Sequence, residues 1–296
     1  MKKVFVVGSS NTDMVIRCNA VPQPGETLLG NSFATYQGGK GANQAVAALR
    51  AGAKTVFVAK VGDDDLGKAA KVAYLKEGID CTFVSEKEAV STGIANITIE
   101  EESGENSILV VSGANAFLSK EDVDAASKIF CEGDVLLVQL ETPVETVDYA
   151  LTLAKEYNLI TILNPAPALA LTDELLSKVD YITPNETEAL FISGRTAIGG
   201  DQVDEIAKAL LTKVNKGVII TLGADGVYYL DHDQQLSFEA VKVDVLDTTG
   251  AGDTFNGYFA AGLSQGSDMV TTIQKAIKAA GIAVTKHGAQ DSIPSI

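Results

Sequence analysis

Cysteine is scarce in this chain, and its few copies do not follow a disulfide or metal-binding pattern. Cys18, Cys81 and Cys131 lie far apart without a Cys-x-x-Cys spacing, which excludes a disulfide framework and a structural zinc site as the basis of the fold. The N-terminus runs from Met-Lys-Lys directly into a short apolar segment that is too brief for the core of a signal peptide. We therefore expect reduced thiols and a cytoplasmic protein.

Positive charge and long apolar runs are also in short supply. The chain has 23 Lys and Arg against 39 Asp and Glu, a net charge of −16, and no basic run. Proteins that follow a nucleic-acid backbone neutralise its phosphates with clustered Lys and Arg, so nucleic acid is not an expected partner. No run of about 18 apolar residues indicates a membrane span. The two histidines, His232 and His287, show no triad pattern.

What the chain has in abundance is hydrophobic sequence in short runs. Hydrophobic residues make up 46% of 296 positions, enough for one large core. Nearly continuous apolar runs alternate with amphipathic stretches, clearest over 201–214, as in a mostly parallel sheet covered by helices on both faces. The predicted fold class is therefore α/β. The predicted buried strands are 4–7, 55–58, 135–140, 159–163, 218–222 and 241–245.

Two segments depart from this pattern and predict a small second sheet. Residues 96–99 alternate polar and apolar, 101–106 supply turn chemistry and 108–111 are apolar again, which indicates a hairpin with one face covered. Residues 12–37 are punctuated by Pro and Gly and lack a helical period. We expect these parts of the chain to form a lid over the main domain. The predicted division is a lid of 12–37 and 93–111 and a main domain of 1–11, 38–92 and 112–296.

The segment 247–257 (DTTGAGDTFNG) is the sharpest candidate for chemistry. Outward-pointing amides of Gly250, Ala251 and Gly252 at a helix N-terminus would favour a phosphate and the charge that develops during its transfer. Asp253, at the edge of that anion hole, could accept the proton of an attacking hydroxyl. The spacing alone favours the plainer interpretation that Asp253 caps the helix.

A second glycine-rich run, 38–43 (GGKGAN), precedes a helix-compatible stretch. Lys40 and Asn43 are donors suited to sugar hydroxyls. The run is not a P-loop, because Lys40 is followed by Gly41 where that motif requires Ser or Thr. By itself, such a run is more often a tight strand-to-helix turn than a binding site.

Several other polar residues follow predicted strands, and each allows two interpretations. Asn11 and Asp13 could bind hydroxyls at the sheet edge where open α/β folds hold ligands, or form ordinary Asx turns. Asn185 and Glu188, three apart, could orient water around Mg²⁺ or cap a helix. The Gly-flanked turn 221–226 could receive a nucleotide or lead into the next strand.

Taken together, these segments resemble the ribokinase family of sugar kinases along almost the whole chain. The resemblance is carried by 38–45 and 247–253, and by the runs NPAP at 164–167, TPNETE at 183–188 and KHGAQ at 286–290. It implies a ribokinase-like three-layer sandwich with a small β-sheet lid, and transfer of the ATP γ-phosphoryl group to a hydroxymethyl group of a small sugar. It also implies Mg²⁺, a monovalent cation that is usually K⁺, and dimers that pair through the lid.

Within that resemblance the leading expectation is phosphorylation of ribose at its 5-hydroxyl. A kinase for deoxyribose, another pentose, fructose or a nucleoside is the nearest alternative. A sugar-binding regulator without catalysis is a second class, against which an intact Gly-Ala-Gly loop and Asp253 count. Ile277 replaces a His that lies beside the adenine in the relatives that the chain resembles, which keeps an apolar wall and removes a polar contact.

The resemblance also implies a role for each matching residue. Asp253 would be the catalytic base, with Gly250, Ala251 and Gly252 as the anion hole. The sugar would be held by Asn11, Thr12, Asp13, Gly39, Lys40, Gly41, Ala42, Asn43, Glu141 and Asp253. ATP would be served by Asn185, Glu188, Thr221, Leu222, Gly223, Ala224, Asp225, Gly226, Gly252, Asp253 and Ile277. The monovalent cation would be bound at Asp247, Thr249, Ala283, Lys286, Gly288 and Ser292, largely by carbonyls.

Overall fold

The computed structural model describes residues 2–103, 105–195 and 202–295. In chain order the strands are β1 (Lys3–Val7), β2 (Asn11–Cys18), β3 (Ser32–Gly38), β4 (Lys54–Gly62), β5 (Asp80–Lys87), β6 (Gly93–Glu100), β7 (Asn106–Val111), β8 (Val135–Val138), β9 (Ile160–Leu163), β10 (Tyr181–Ile182), β11 (Gly217–Thr221), β12 (Val227–Asp231) and β13 (Gln235–Phe238). The helices are α1 (Lys40–Arg50), α2 (Asp65–Glu77), α3 (Lys120–Ser127), α4 (Val144–Glu156), α5 (Asp173–Leu176), α6 (Glu186–Ser193), α7 (Gln202–Leu211), α8 (Ala251–Ser264) and α9 (Met269–Ala283).

A nine-stranded sheet forms the centre of the molecule, in the order β13-β12-β11-β10-β9-β8-β1-β4-β5. Neighbours from β5 to β11 run parallel, and β12 and β13 add an antiparallel edge. The chain leaves β1 toward β4 on one side and later returns to β8 on the other. Open α/β sheets bind ligands at the carboxyl ends of strands near such a divergence. The predicted mostly parallel sheet is confirmed.

Both faces of this sheet are covered. Along β1, Val4 and Val6 join one apolar core while Phe5 and Val7 join the other, and all four side chains are fully buried. Residues of α1, α8 and α9 complete the first core, and residues of α3, α4 and α7 complete the second. Strands buried on both faces must be apolar at successive positions, which explains the sequence pattern and confirms the three-layer α/β sandwich.

A second sheet of four strands, ordered β3-β2-β6-β7, is built from the two segments that were expected to pair. β2 and β6 are parallel, and β6 and β7 form the predicted hairpin. Every residue of β7 is exposed. The prediction that one face of this hairpin is covered is therefore wrong for β7 in the single chain, because neither apolar core includes a residue of β7, whereas Gly93 and Ala95 of β6 are buried.

One strand prediction is also wrong. Residues 241–245 have no strand assignment, and Val241 and Val245 are 43% and 63% exposed. The alternation of Val with charged residues imitates a strand, but β13 has already ended at Phe238, and the chain then crosses the surface, where Val241 contacts Gly281 of α9. The amphipathic run 201–214 corresponds to α7, except that Asp201 lies outside the described residues.

Candidate active site

A cleft of about 210 Å³ opens where the carboxyl ends of β9, β10 and β11 meet the first turns of α1, α6 and α8. Helix N-termini carry partial positive charge and free backbone N–H groups, so their convergence favours an anionic ligand. The cleft is lined by Lys40, Asn164, Ala166, Thr183, Asn185, Glu188, Thr221, Thr248, Gly250, Gly252, Asp253 and Asn256.

Asp253 lies in the first turn of α8 and is only 8% exposed. The interpretation that it caps the helix is wrong, because Gly250 occupies the N-cap position. Both carboxylate oxygens instead accept hydrogen bonds from α1: Oδ2 from Asn43 Nδ2 and Oδ1 from Gln44 Nε2, each at 2.9 Å. These hydrogen bonds hold the carboxylate beside the cleft, which Asp253 lines.

The turn that opens α8 leaves space in front of its backbone. Gly250 has φ of 75°, a left-handed conformation that favours glycine. A Cβ at Gly252 would meet no atom within 4 Å, so this glycine faces open space and is not required by protein packing. The amide of Ala251 donates to the Thr248 carbonyl at 3.2 Å. Amides of the first helical turn lack intrahelical acceptors, which leaves Gly252 as the donor best placed for an anion.

The glycines of the 38–43 run are needed for packing against the first strand loop. A Cβ at Gly39 would lie 2.8 Å from the Asn11 nitrogen, and one at Gly41 would lie 2.5 Å from the Ser9 nitrogen. The amides of Gly41 and Ala42 both donate to Ser9, at its hydroxyl and carbonyl. The turn interpretation therefore holds for Gly39, Gly41 and Ala42.

Lys40, by contrast, projects from the start of α1 into the cleft. The nearby Asp253 carboxylate raises the pKa of Lys40, with smaller contributions from Glu141 and Glu188 and with burial opposing the shift. Lys40 is thus a positive charge in the neighbourhood of three carboxylates.

The loop after β1 and the start of β2 bring further predicted residues to the site. The buried Asn11 accepts a hydrogen bond at Oδ1 from Asn115 Nδ2 at 2.7 Å. Burial, and then repulsion from Glu141 and Asp253, raises the pKa of Asp13 to about 7. Within the described part of the chain, the buried Thr12 Oγ1 has no hydrogen-bond partner.

Glu141 follows β8 and joins the first strand loop to α1. Its Oε2 accepts from Ser9 Oγ at 2.5 Å and from the Lys40 amide at 3.0 Å. This carboxylate therefore fixes the backbone from which the Lys40 side chain enters the cleft.

Asn185 and Glu188 form the helix cap that their spacing allowed. Asn185 Oδ1 accepts from the Glu188 amide at 2.8 Å, while Glu188 Oε2 accepts from the Asn185 amide at 2.9 Å. Both residues also line the cleft. Burial raises the pKa of Glu188, partly opposed by the Asn185 hydrogen bond and by Lys40.

The remaining nucleotide candidates are more scattered. Thr221 ends β11, forms a bridge with Asn185 and lines the cleft. Beyond it, the turn through Gly223, Ala224 and Asp225 is exposed. Ile277 lies on α9, is 8% exposed and belongs to the apolar core. The cleft therefore gathers Asn185, Glu188 and Thr221 but neither this turn nor Ile277.

The predicted cation residues lie on two loops that contact each other. Asp247 accepts from the Thr249 amide at 2.9 Å and from the Gly288 amide at 3.0 Å. Burial works against ionisation of Asp247, but these hydrogen bonds outweigh it and lower its pKa. A Cβ at Gly250 would lie 3.2 Å from Ala289, so the second loop packs directly on the turn that opens α8.

The rest of that set is buried or already bonded. The Ser292 hydroxyl is fully buried and donates to the Ala289 carbonyl at 2.8 Å. The Ala283 carbonyl accepts from the Lys286 amide at 3.1 Å. Oxygen atoms and one carboxylate make this a donor set suited to a hard cation. Across the described ranges, no group of three or more His, Cys, Asp or Glu is arranged to hold a metal ion.

Sequence reasoning missed a buried polar network behind Asp253. Gln44 also donates to Asn164 Oδ1 at 2.9 Å and accepts from Gln139 Nε2 at 2.6 Å. The network continues through Thr183 to Asn256, whose side chain donates to the Gly252 carbonyl at 2.8 Å. Gln44, Asn164 and Thr183 stood inside segments that carried the resemblance. Asn115, which fixes Asn11, had no signal of that kind.

Comparison with known proteins agrees with this geometry. The family description "pfkB family carbohydrate kinase" matches residues 1–296. A ribokinase of Haemophilus influenzae is 43% identical, over 99% of this chain and 96% of that protein, and a deoxyribokinase of Salmonella typhi is 37% identical over the same shares. The structure of Arabidopsis thaliana ribokinase complexed with ribose and ATP superposes with a TM-score of 0.89 at 28% identity, over 99% of this chain and 96% of that one.

Proposed function

The chain belongs to the pfkB family of carbohydrate kinases, phosphotransferases with an alcohol group as acceptor, and we propose that it transfers the γ-phosphoryl group of ATP to the 5-hydroxyl of D-ribose. The observation that carries the proposal is the Asp253 carboxylate, pinned by two side-chain amides at the edge of a cleft where helix N-termini converge. The products are D-ribose 5-phosphate and ADP.

In this reaction Asp253 is the base. It takes the proton of the sugar hydroxyl as that oxygen attacks the γ-phosphorus, and the bond to the ADP oxygen breaks. Negative charge develops on the transferred group, and the amides at Gly250, Ala251 and Gly252 face it in the proposed anion hole. Because the Ala251 amide already donates to Thr248, Gly252 contributes most. Lys40 adds a positive charge to the lining of the same cleft.

Two buried acceptors support binding of an uncharged polyol. Among the described residues, Asn43 Oδ1 and Thr12 Oγ1 have no hydrogen-bond partner, and a buried polar atom without one is costly. Sugar hydroxyls would satisfy both, with Asn11, Asp13 and Glu141 as further partners. Lys40 is the one positively charged residue among those that line the described cleft, whereas a sugar phosphate calls for additional Arg or Lys.

ATP would approach from the side of Asn185, Glu188 and Thr221. The turn from Leu222 to Gly226, exposed at residues 223–225, would contact the nucleotide beyond the cleft, and Ile277 would contribute only to the apolar wall behind it. Mg²⁺ keeps several waters and is usually bound by one or two carboxylates together with substrate phosphates. Glu188 fits that role, because the cap occupies Oε2 and leaves its second oxygen available to a metal-bound water.

The loops at Asp247 and Gly288 fit a monovalent cation, which we take to be K⁺. A carboxylate and the buried Ser292 hydroxyl lie on segments that contact each other next to Gly250, and the carbonyls of Thr249, Ala283 and Lys286 complete the proposed set. When bound, the cation would supply charge that stabilises the turn; it would not take part in phosphoryl transfer.

The second sheet would act as a lid that excludes water, and lids of two subunits would pair. β7 is an edge strand with four consecutive exposed apolar residues, of which Leu109 is 71% exposed, and Phe33 of β3 is 62% exposed. Exposed apolar residues on an edge strand favour association with another chain.

No helix of the described ranges is both long and apolar enough to span a bilayer. The free thiols of Cys18, Cys81 and Cys131 suit the cytoplasm we propose.

The deciding experiment is coupled ADP release with ATP, Mg²⁺ and K⁺ against D-ribose, 2-deoxyribose, fructose and adenosine, with a blank that lacks sugar. Selective turnover of ribose supports the proposal. Preference for 2-deoxyribose would favour the second candidate, which the deoxyribokinase relative suggests. Absence of sugar-dependent ADP release from folded protein that still binds ribose would favour a binding protein.

Asp253→Asn tests the base directly, because the amide cannot accept the proton. We expect ribose binding, measured by titration calorimetry, to survive, while turnover falls by about 10²-fold or more. Unchanged turnover would refute the assignment of Asp253.

A further inference from the structure

We propose that Gln44 is a positioning residue for phosphoryl transfer: it holds the carboxylate of Asp253 in the orientation that accepts the hydroxyl proton, without touching the sugar or the nucleotide. The inference rests on the proposed function, in which Asp253 is the base. It concerns a residue that lies entirely behind the cleft, since Gln44 is 0% exposed.

Two consecutive residues of α1 hold the two oxygens of Asp253, but their roles differ. Asn43 uses its Nδ2 on Asp253 Oδ2, while its Oδ1 is without a partner among the described residues. Asn43 is therefore left with an acceptor for a ligand. Gln44 donates to Asp253 Oδ1 and to Asn164 Oδ1, and its own Oε1 accepts from Gln139. Both donors of the buried Gln44 are used, so it acts only through its partners, of which Asp253 is the reacting group and Asn164 lines the cleft.

The direction of this hydrogen-bond chain is fixed by chemistry. An ionised carboxylate only accepts hydrogen bonds, so the NH₂ group of Gln44 must face Asp253. Its Oε1 then faces the opposite way, where Gln139 Nε2 donates at 2.6 Å. Gln139 follows directly after β8. The base on α8 is in this way connected to the central sheet through α1, at a distance of two side chains.

Part of this buried arrangement is costly. Gln44 and Gln139 are 0% and 1% exposed, and Gln139 Oε1 has no hydrogen-bond partner among the described residues, which an apolar side chain would avoid. The chain also reserves space for them, because a Cβ at Gly8 would lie 2.1 Å from Gln139 Oε1. Two buried glutamines that lead to a catalytic carboxylate indicate a role in the reaction.

The hydrogen bond from Gln44 restricts rotation of the Asp253 carboxylate, because it fixes Oδ1 while Asn43 fixes Oδ2. A general base must be ionised at the working pH and aimed at the proton that it removes. Loss of Gln44 should therefore reduce the rate of the chemical step without weakening the binding of the sugar.

The test is Gln44→Met, which keeps the length of the side chain and removes its amide. We expect kcat for ribose to fall by about tenfold to a hundredfold, while KM for ribose changes by less than about threefold. This separation of kcat from KM is the signature of a residue that orients the base without binding the sugar. Val46→Ala is the matched control: it creates a cavity on the same helix, where Val46 is fully buried in the apolar core, and leaves the site unchanged.

An equal fall of kcat in Gln44→Met and Val46→Ala would overturn the proposal and leave Gln44 a packing residue. If Gln44→Met does not fold, Gln139→Met is the second variant, because it retains the Gln44 amide but removes the donor that orients it. We expect a smaller fall of kcat with KM unchanged; an unchanged kcat would again overturn the proposal. Failure of the proposed function is distinguishable, because wild-type protein would then release no ribose-dependent ADP, or Asp253→Asn would remain active.

Discussion

Asp13 should make the folded protein less stable as the pH rises, and Asp13→Asn should remove that effect. Burial and the nearby carboxylates of Glu141 and Asp253 raise its pKa from 3.8 to about 7. Between these values the unfolded chain has released the proton while the folded chain still holds it. Stability is therefore undiminished below about pH 4, falls between pH 4 and pH 7, and is constant above.

The size of the effect follows from that shift. At 1.36 kcal/mol per pH unit, movement from 3.8 to about 7 corresponds to about 4 kcal/mol above pH 7 and about 2 kcal/mol at pH 5.5. Part of the Asp13 side chain is exposed, and solvent screens that part, so we expect between half and all of these values. The gain in stability from Asp13→Asn should therefore grow by about 1 to 2 kcal/mol from pH 5.5 to pH 8.

The assay is urea unfolding of both proteins at pH 5.5 and pH 8, away from the sequence pI of about 4.5. Asp134→Asn is the contrasting control, since Asp134 is buried and accepts from the amides of Lys3 and Cys131, and its replacement should lower stability at both pH values. A gain from Asp13→Asn that is equal at the two pH values, or a loss at pH 8, would refute the reasoning. Under the proposed function the stabilised variant should bind ribose more weakly, as expected where a binding site is maintained at the expense of stability.

Three further results are expected. Gly252→Ala should unfold at the same temperature as wild type, because its Cβ meets no atom within 4 Å, yet its turnover should fall by about a hundredfold. Normal turnover of Gly252→Ala would contradict the anion hole. As the control, Gly250→Ala, at φ of 75°, should instead lose about 1 kcal/mol of stability. Ser292→Ala should raise the K⁺ concentration needed for half-maximal activity by about tenfold, measured by KCl titration at constant ionic strength, and an unchanged titration would exclude Ser292 from the cation site. Leu109→Glu should convert a dimer to a monomer in light scattering with kinetics intact, and a monomeric wild-type protein would contradict pairing through the lid.

Much of the fold could be predicted because strands buried on both faces carry an unmistakable pattern. β1, β8 and β9 are nearly continuously apolar, and each was predicted to within two residues at either end. Residues 241–245 are similarly rich in Val, but in the described part of the chain they pair with no neighbouring strand. Whether such a neighbour is present depends on the whole fold and cannot be read from the local sequence. The exposure of β7 was likewise unpredictable, since a strand whose apolar residues are exposed and a strand whose apolar residues are buried can have the same sequence pattern.

The site was predictable in its motifs but not in its contacts. Spacing around Asp253 favoured a helix cap, and only the fold shows that the side-chain amides of Asn43 and Gln44 each donate to one oxygen of that carboxylate. Asn185 and Glu188 are the reverse case, because their local spacing predicted a helix cap and their hydrogen bonds form that cap. Asn115 fixes Asn11 from 104 positions away, and no periodicity or motif carries such information.

The contact between Asn43 and Asp253 has a consequence for deletion variants. The two residues are 210 positions apart, so the two halves of the contact come from distant parts of the chain. A variant that ends at residue 250 keeps β1 to β13 in its sequence, but it has neither the base nor the residues of α8 and α9 that complete the first core. No fragment that lacks either α1 or α8 can therefore contain the assembled site.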